Sequence, residues 1–148
     1  TLDEIGIGMP ERWQDAGKAA LVARDQHWRT ACNSLTVCFF AVVPPAELAE
    51  LLSAALGEPW TPEEMILAGQ RTWNLKRAIN CRLGLTPEAE KLPKLLLQAL
   101  PEGGQEGYVP DVQTLLDEYY AVAGWERASG RPLPDTLRQL GLEFTLSV

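Results

Sequence analysis

Sulfur carries the main chemical potential of this sequence. Cys32 and Cys38 are separated by five residues, with His27 just upstream and Cys81 far downstream. Four soft donors can in principle hold zinc, but zinc sites are usually built on tight knuckles of two to four residues, and this spacing has none. A free cysteine in a folded protein mostly behaves as a small core hydrophobe. Cys32 fits that description, since it shares one helical face with Leu21, Trp28, Ala31 and Leu35. Cys81, close to the apolar Ile79, fits it as well. Cys38 is different. It ends the run Asn33-Ser34-Leu35-Thr36-Val37-Cys38, just past an expected helix end, where a thiol can point away from its own segment. His27 is the only histidine, so a Ser-His-Asp arrangement would depend on it alone, and nothing singles out a nucleophile for it. It is expected on the helix surface or half-buried. The sequence contains no Gly-rich phosphate loop, no H-E-x-x-H helix and no G-x-S-x-G elbow.

Composition narrows the classes further. The 148 residues suit one domain with a real core, at 46% apolar and 22% charged. A net charge of −7 argues against nucleic acid, which needs clustered Lys and Arg. The one basic grouping, Arg71, Lys76 and Arg77 with Arg82, reads as a solvated helix face. The longest uncharged stretch, Thr30 to Ala46, is short and broken by Asn33, Ser34 and Pro44-Pro45, so no membrane span is expected. No export signal is legible, and an odd number of cysteines fits reduced thiols in a cytoplasmic protein.

The elements that must position Cys38 are well punctuated. A helix is expected from about Asp15 to Ser34. Pro44-Pro45 opens a second, with Leu48, Leu51, Leu52, Ala55 and Leu56 as its stripe and Gly57 as its stop. Thr61-Pro62-Glu63-Glu64 is a capping box with proline at the first helical position. Its helix presents Met65, Ala68, Thr72, Leu75 and Ile79 and ends before Gly84. Thr86-Pro87-Glu88 repeats the capping logic for a shorter segment, and Leu95 to Leu100 follows Pro93. The stretch from Pro101 to Pro110 is a glycine-rich loop. Asp111 then caps a helix carrying Leu115, Leu116, Tyr119 and Val122, and Gly124 stops it. A last short helix runs from about Pro134 to Leu140. Only Thr1–Gly8 and Glu143–Val148 are expected to be extended. The pattern predicts an all-α, irregular multi-helix bundle, with residues 1–148 as a single helical domain.

From about Gly8 to Leu142 the chain resembles the C-terminal domain of tungsten-containing aldehyde ferredoxin oxidoreductases. Gly69-Gln70-Arg71-Thr72-Trp73-Asn74 is similar to the family's Gly-Glu-Arg-x-Trp-Asn, and Lys76-Arg77-Ala78-Ile79-Asn80 to its continuation. Leu92-Pro93, Leu100-Pro101-Glu102-Gly103, Leu116-Asp117-Glu118-Tyr119-Tyr120, Gly124-Trp125 and the stretch Leu137 to Leu142 match in order and spacing. Asn33 to Cys38 stands where the family has Asp-x-x-Gly-Leu-Cys.

The resemblance implies an all-α fragment of a larger multidomain protein. The parent would oxidise aldehydes, or a related oxo or carboxyl substrate, and pass electrons to ferredoxin. Its cofactors would be a tungsten bis-pterin and a [4Fe–4S] cluster, neither expected in this chain alone. Cys38 would be one cluster ligand. The other three thiolates would come from preceding domains of the same protein, since a cubane cluster takes four. Asn33 would contact the pterin, with Val37 in the place of the motif's Leu. Two departures stand out. Asn33 removes the carboxylate charge but keeps an acceptor oxygen. Thr36 replaces glycine, which would cost ~1–2 kcal/mol if that position needs a positive φ. The alternative function is a non-catalytic helical interaction module that kept the fold and lost the cofactor.

Overall fold

The computed structural model describes residues 2–38 and 40–147. Among the described residues five helices form the body: α1 (Lys18–Ser34), α2 (Pro45–Leu56), α3 (Pro62–Arg82), α4 (Val112–Ala123) and α5 (Pro134–Gln139). Short 3-10 turns at Leu2–Ile5, Pro87–Ala89, Lys94–Leu97 and Glu143–Ser147 fill the rest. Pairing between extended segments, among the described residues, is limited to two isolated bridges, Leu100 with Glu106 and Trp125 with Pro132. The all-α expectation holds. None of the described helices is long and apolar enough to cross a membrane.

The caps are where the residue types place them. The Thr61 hydroxyl accepts from the Glu64 N–H, and the Glu64 carboxylate accepts from the Thr61 N–H at 2.7 Å, closing the capping box of α3. Asp111 accepts from the Thr114 N–H at 3.1 Å and starts α4, while Gly57 and Gly124 end α2 and α4 in the left-handed conformation. α1 begins three residues later than expected, after Gly17. Asp15 instead accepts the Tyr108 hydroxyl and the Asp111 N–H, and those bonds hold its carboxyl below the usual range.

α1 packs mainly on α3 and also on α4, α2 packs on α3, and α5 packs on the C-terminal turn. The α1–α3 crossing is close because Gly69 has no side chain. A Cβ there would sit 1.8 Å from the His27 carbonyl oxygen. One core, comprising Ile5, Trp28, Ala31, Leu48, Ala49, Met65 and Ile66, lies beneath the end of α1. A second gathers Tyr120, Ala123 and Trp125 against Trp73, Leu116 and Tyr119. The third is Leu137, Leu140 and Leu142 against Leu75.

Several sequence expectations need correction. Both chain ends are 3-10 turns where extended segments were expected, closed by local bonds such as Gly6 N–H to Asp3 C=O and Thr145 N–H to Leu142 C=O. Ile5 reaches the core only because the N-terminal turn folds back. The outermost residues of those two stretches, Thr1 and Val148, lie outside the described residues. The segments after Pro87 and Pro93 form single 3-10 turns. Of the stripe expected on α2, Leu48 is buried and Leu52 half-buried, while Leu51, Ala55 and Leu56 are exposed; Pro45 and Ala49 supply the rest of the buried face. α3 turns Ile79 outward and buries Asn74 and Arg77.

Arg77 therefore does not belong to a solvated basic face. Its guanidinium donates to the Gly130 carbonyl at 2.6 Å and the Tyr120 hydroxyl at 2.8 Å, pairs with Glu90, and lies 4.2 Å from the Trp125 ring centroid. Asn74 is wholly buried and accepts from the Trp125 indole N–H at 2.8 Å. His27 is also buried, 8% exposed, and its Nε2 has no hydrogen-bond partner among the described residues. Burial first, and the Arg24 charge second, lower its pKa to about 4.

Candidate functional site

The last turn of α1 determines where Cys38 stands. The Val37 N–H donates to the Cys32 carbonyl and the Thr36 N–H to the Asn33 carbonyl, both at 3.1 Å. This pair of reversed bonds is a Schellman ending, which requires a left-handed residue at its bend. That residue is Thr36, with φ +58°. Val37, half-buried, then packs on the core beside Cys32 and Leu35, so the turn is anchored from below. Beyond it the Ala41 N–H donates to the Cys38 carbonyl at 2.9 Å, folding the chain back toward α2.

Asn33, Val37 and Cys38 come together on one hollow of about 280 Å³, between the end of α1, the 40–43 segment and α2. Asn33 and Cys38 are exposed. The three thiols, all free, occupy different environments. Cys81 is buried and donates to the Gly130 carbonyl, 3.4 Å away. Cys32 is half-buried on the hollow's floor, where burial raises its pKa and the nearby Arg29 charge opposes the rise. Cys38 alone is exposed and held at the lip. Beside it Phe40 and Val42, 86% and 94% exposed, present an apolar edge.

Among the described residues no three His, Cys, Asp or Glu side chains gather to hold a metal ion. A self-contained zinc site therefore finds no ligand set among the described residues. A group that takes one thiolate here and the rest from elsewhere is compatible with what is present.

A larger hollow of about 540 Å³ opens between α1, α3 and α4, walled by Trp73, Tyr119, Tyr120 and Trp125. Its polar groups satisfy one another. The Trp73 indole donates to the Tyr119 hydroxyl at 2.9 Å, Tyr119 donates to Gln26, and Tyr120 donates to Glu90. Burial pushes the Tyr119 phenol up to about 12, so it stays protonated in this role. Trp73 and Asn74 of the Arg-x-Trp-Asn run and the Tyr-Tyr…Gly-Trp run are therefore two halves of one internal network, contributed by α3 and by the end of α4. Sequence reasoning missed Arg29, which also lines the Cys38 hollow. The available signal was its spacing, one helical turn before Asn33 on the same face.

Comparison with known proteins agrees with this architecture. Residues 3–142 match the family model described as aldehyde ferredoxin oxidoreductase, domains 2 and 3. The tungsten-containing aldehyde ferredoxin oxidoreductase of Pyrococcus abyssi is 32% identical over 130 residues, which are 85% of this chain and 21% of that protein. The Thermococcus kodakarensis protein of the same name is 36% identical over 95 residues, covering 63% of this chain and 16% of its own length. The chain thus spans about a fifth of the length of the relatives it matches. The active-site complex BamBC of benzoyl coenzyme A reductase, solved with 1,5-dienoyl-CoA, shares the fold at TM-score 0.72 and 22% identity, over 94% of this chain and 21% of that one. With the family model covering nearly its whole length, the chain belongs to the aldehyde ferredoxin oxidoreductase family of tungsten-pterin enzymes.

Proposed function

We propose that this chain is a single cofactor-closing domain of a tungsten-pterin oxidoreductase, and that Cys38 supplies one thiolate to a [4Fe–4S] cluster. One observation carries the reading. Of the three cysteines, Cys38 alone is exposed, and it shares a hollow with Asn33 and Val37 at the end of an anchored turn. A lone, outward-facing thiol suits a cubane whose other thiolates come from preceding domains of the same protein.

The bound cofactors would supply two-electron oxidation of an aldehyde, or a related oxo or carboxyl substrate, with electrons leaving to ferredoxin. This chain's residues do the positioning. The Schellman turn fixes the Cys38 backbone, and Val37 closes the hollow with an apolar wall. Asn33 offers an amide oxygen as acceptor for a pterin amine, a weaker partner than a carboxylate. Phe40 and Val42 give the preceding domains an apolar edge to cover, which would exclude water from the cluster's side of the hollow. Three free thiols suit a reducing cytoplasm.

The test is iron and sulfide analysis of the full-length protein, purified without oxygen, with and without Cys38→Ser. Loss of cluster iron in the variant is the expected result. Unchanged iron and sulfide would sink the ligand assignment, whereas a parent protein without iron or sulfide in either form would favour the non-catalytic module.

A further inference from the structure

We propose that Arg29 sets the reduction potential of the cluster that Cys38 ligates, with Asp25 as the opposing charge; this rests on the ligand role proposed above. Arg29, Cys32 and Asn33 stand at i, i+3 and i+4 on α1, so they share one face of the helix. All three line the hollow at whose lip Cys38 sits. Asp25 lies one turn earlier, its Oδ1 3.4 Å from the Arg29 Nε, and the two side chains are 40% and 35% exposed. The pair forms a short ladder of alternating charge that ends at the cofactor motif.

Around Cys32, Arg29 favours the thiolate and Asp25 disfavours it, alongside the larger effect of burial. Cys38 faces the same hollow. One-electron reduction makes a ligated cluster one charge more negative while no protein bond forms or breaks. A fixed positive charge beside it favours the reduced state, and a negative charge opposes it. Once Phe40 and Val42 are covered by neighbouring domains, less water remains to screen either charge.

The experiment is an anaerobic redox titration of the full-length protein, followed by the electron paramagnetic signal of the reduced cluster. Arg29→Gln is expected to lower the midpoint, weakening reduction by several-fold and up to about tenfold, which is about 59 mV for one electron. Arg29→Lys should restore most of the shift. Asp25→Asn should move the midpoint the other way. A purely structural role for the ion pair would move neither midpoint, or both in the same direction, and either outcome overturns the proposal. If Arg29→Gln prevents cluster assembly, Asp25→Asn decides alone, and an unmoved midpoint there is equally fatal. Iron content that survives Cys38→Ser refutes the ligand reading itself. A full cluster with an unmoved midpoint in Arg29→Gln refutes only the assignment to Arg29.

Discussion

Replacing Thr36 with glycine should stabilise the protein, although glycine usually costs stability. Thr36 sits at φ +58°, where a side chain crowds the following carbonyl and a β-branched one does so most. Relieving that contact is worth ~1–2 kcal/mol. Against it stands the extra freedom of glycine in the unfolded chain, ~0.5–1 kcal/mol. Thr36 is exposed, so little packing is lost. The net expectation is a gain of up to about 1.5 kcal/mol, or up to roughly 6 °C in melting temperature for a domain of this size. Urea unfolding followed by circular dichroism measures it, with an unchanged m-value confirming that the unfolded state is comparable. Two controls isolate the cause. Thr36→Val keeps the β-branch and should gain nothing. Glu50→Gly, at an exposed right-handed position inside α2, should lose ~1 kcal/mol. Thr36→Gly that destabilises, or Thr36→Val that matches its gain, would refute the strain argument.

Other positions yield opposite signs. Gly69→Ala drives a methyl group into the His27 carbonyl and should cost about 3 kcal/mol or more, read as a lower urea midpoint, because two backbones must separate. Arg77→Met removes the cation beside half-buried Glu90, which keeps only the Tyr120 hydroxyl, and the donor to the Gly130 carbonyl, and should cost about 3 kcal/mol in the same titration. His27 gives a pH dependence. Its folded pKa, about 4, lies below the ordinary 6.5, so between these values the unfolded state binds a proton that the folded state refuses. The stability from keeping it neutral is complete above pH 6.5, falls as pH drops toward 4, and levels off below. The loss approaches about 3 kcal/mol. His27→Phe should flatten the stability curve in that window, and an equally steep curve in the variant would assign the slope to other groups.

The helix boundaries were legible because capping is local. Thr61 with Glu64, Asp111 with Thr114, and the glycines at 57 and 124 carry their instruction within a few residues. The buried face of α3 was not legible. Hydrophobic periodicity nominates Ile79 and passes over Asn74 and Arg77, yet those two are buried because Trp125, Tyr120, Glu90 and Gly130 arrive from distant segments with matching donors and acceptors. Nothing within a helical window announces such partners. Gly69 was a partial signal, since a glycine inside a strong helix pattern often marks a close crossing, and here it buries His27 as well. At the candidate site, the exposed thiol and the hinge-like position of Thr36 could be read from the helix end, whereas the Arg29–Asp25 ladder needed the hollow to give it meaning.

The two departures from the family motif belong to different links of the chain from sequence to function. Thr36 leaves the geometry intact: both Schellman bonds are formed at 3.1 Å, and Val37 and Cys38 line one hollow. A strained residue persists when its surroundings over-determine it, and here the packing of Cys32, Leu35 and Val37 on the core does so. The consequence is energetic and leaves the site's shape alone. Asn33 is the reverse case. It is exposed and disturbs nothing in the fold, yet it removes a charge from the hollow that the cofactor would face. It follows that Thr36→Gly should change stability without changing metal content, while Asn33→Asp should leave stability nearly unchanged and alter cofactor retention or cluster potential. A full-length protein in which the two substitutions exchanged these effects would show that turn geometry and cofactor recognition cannot be separated in this motif.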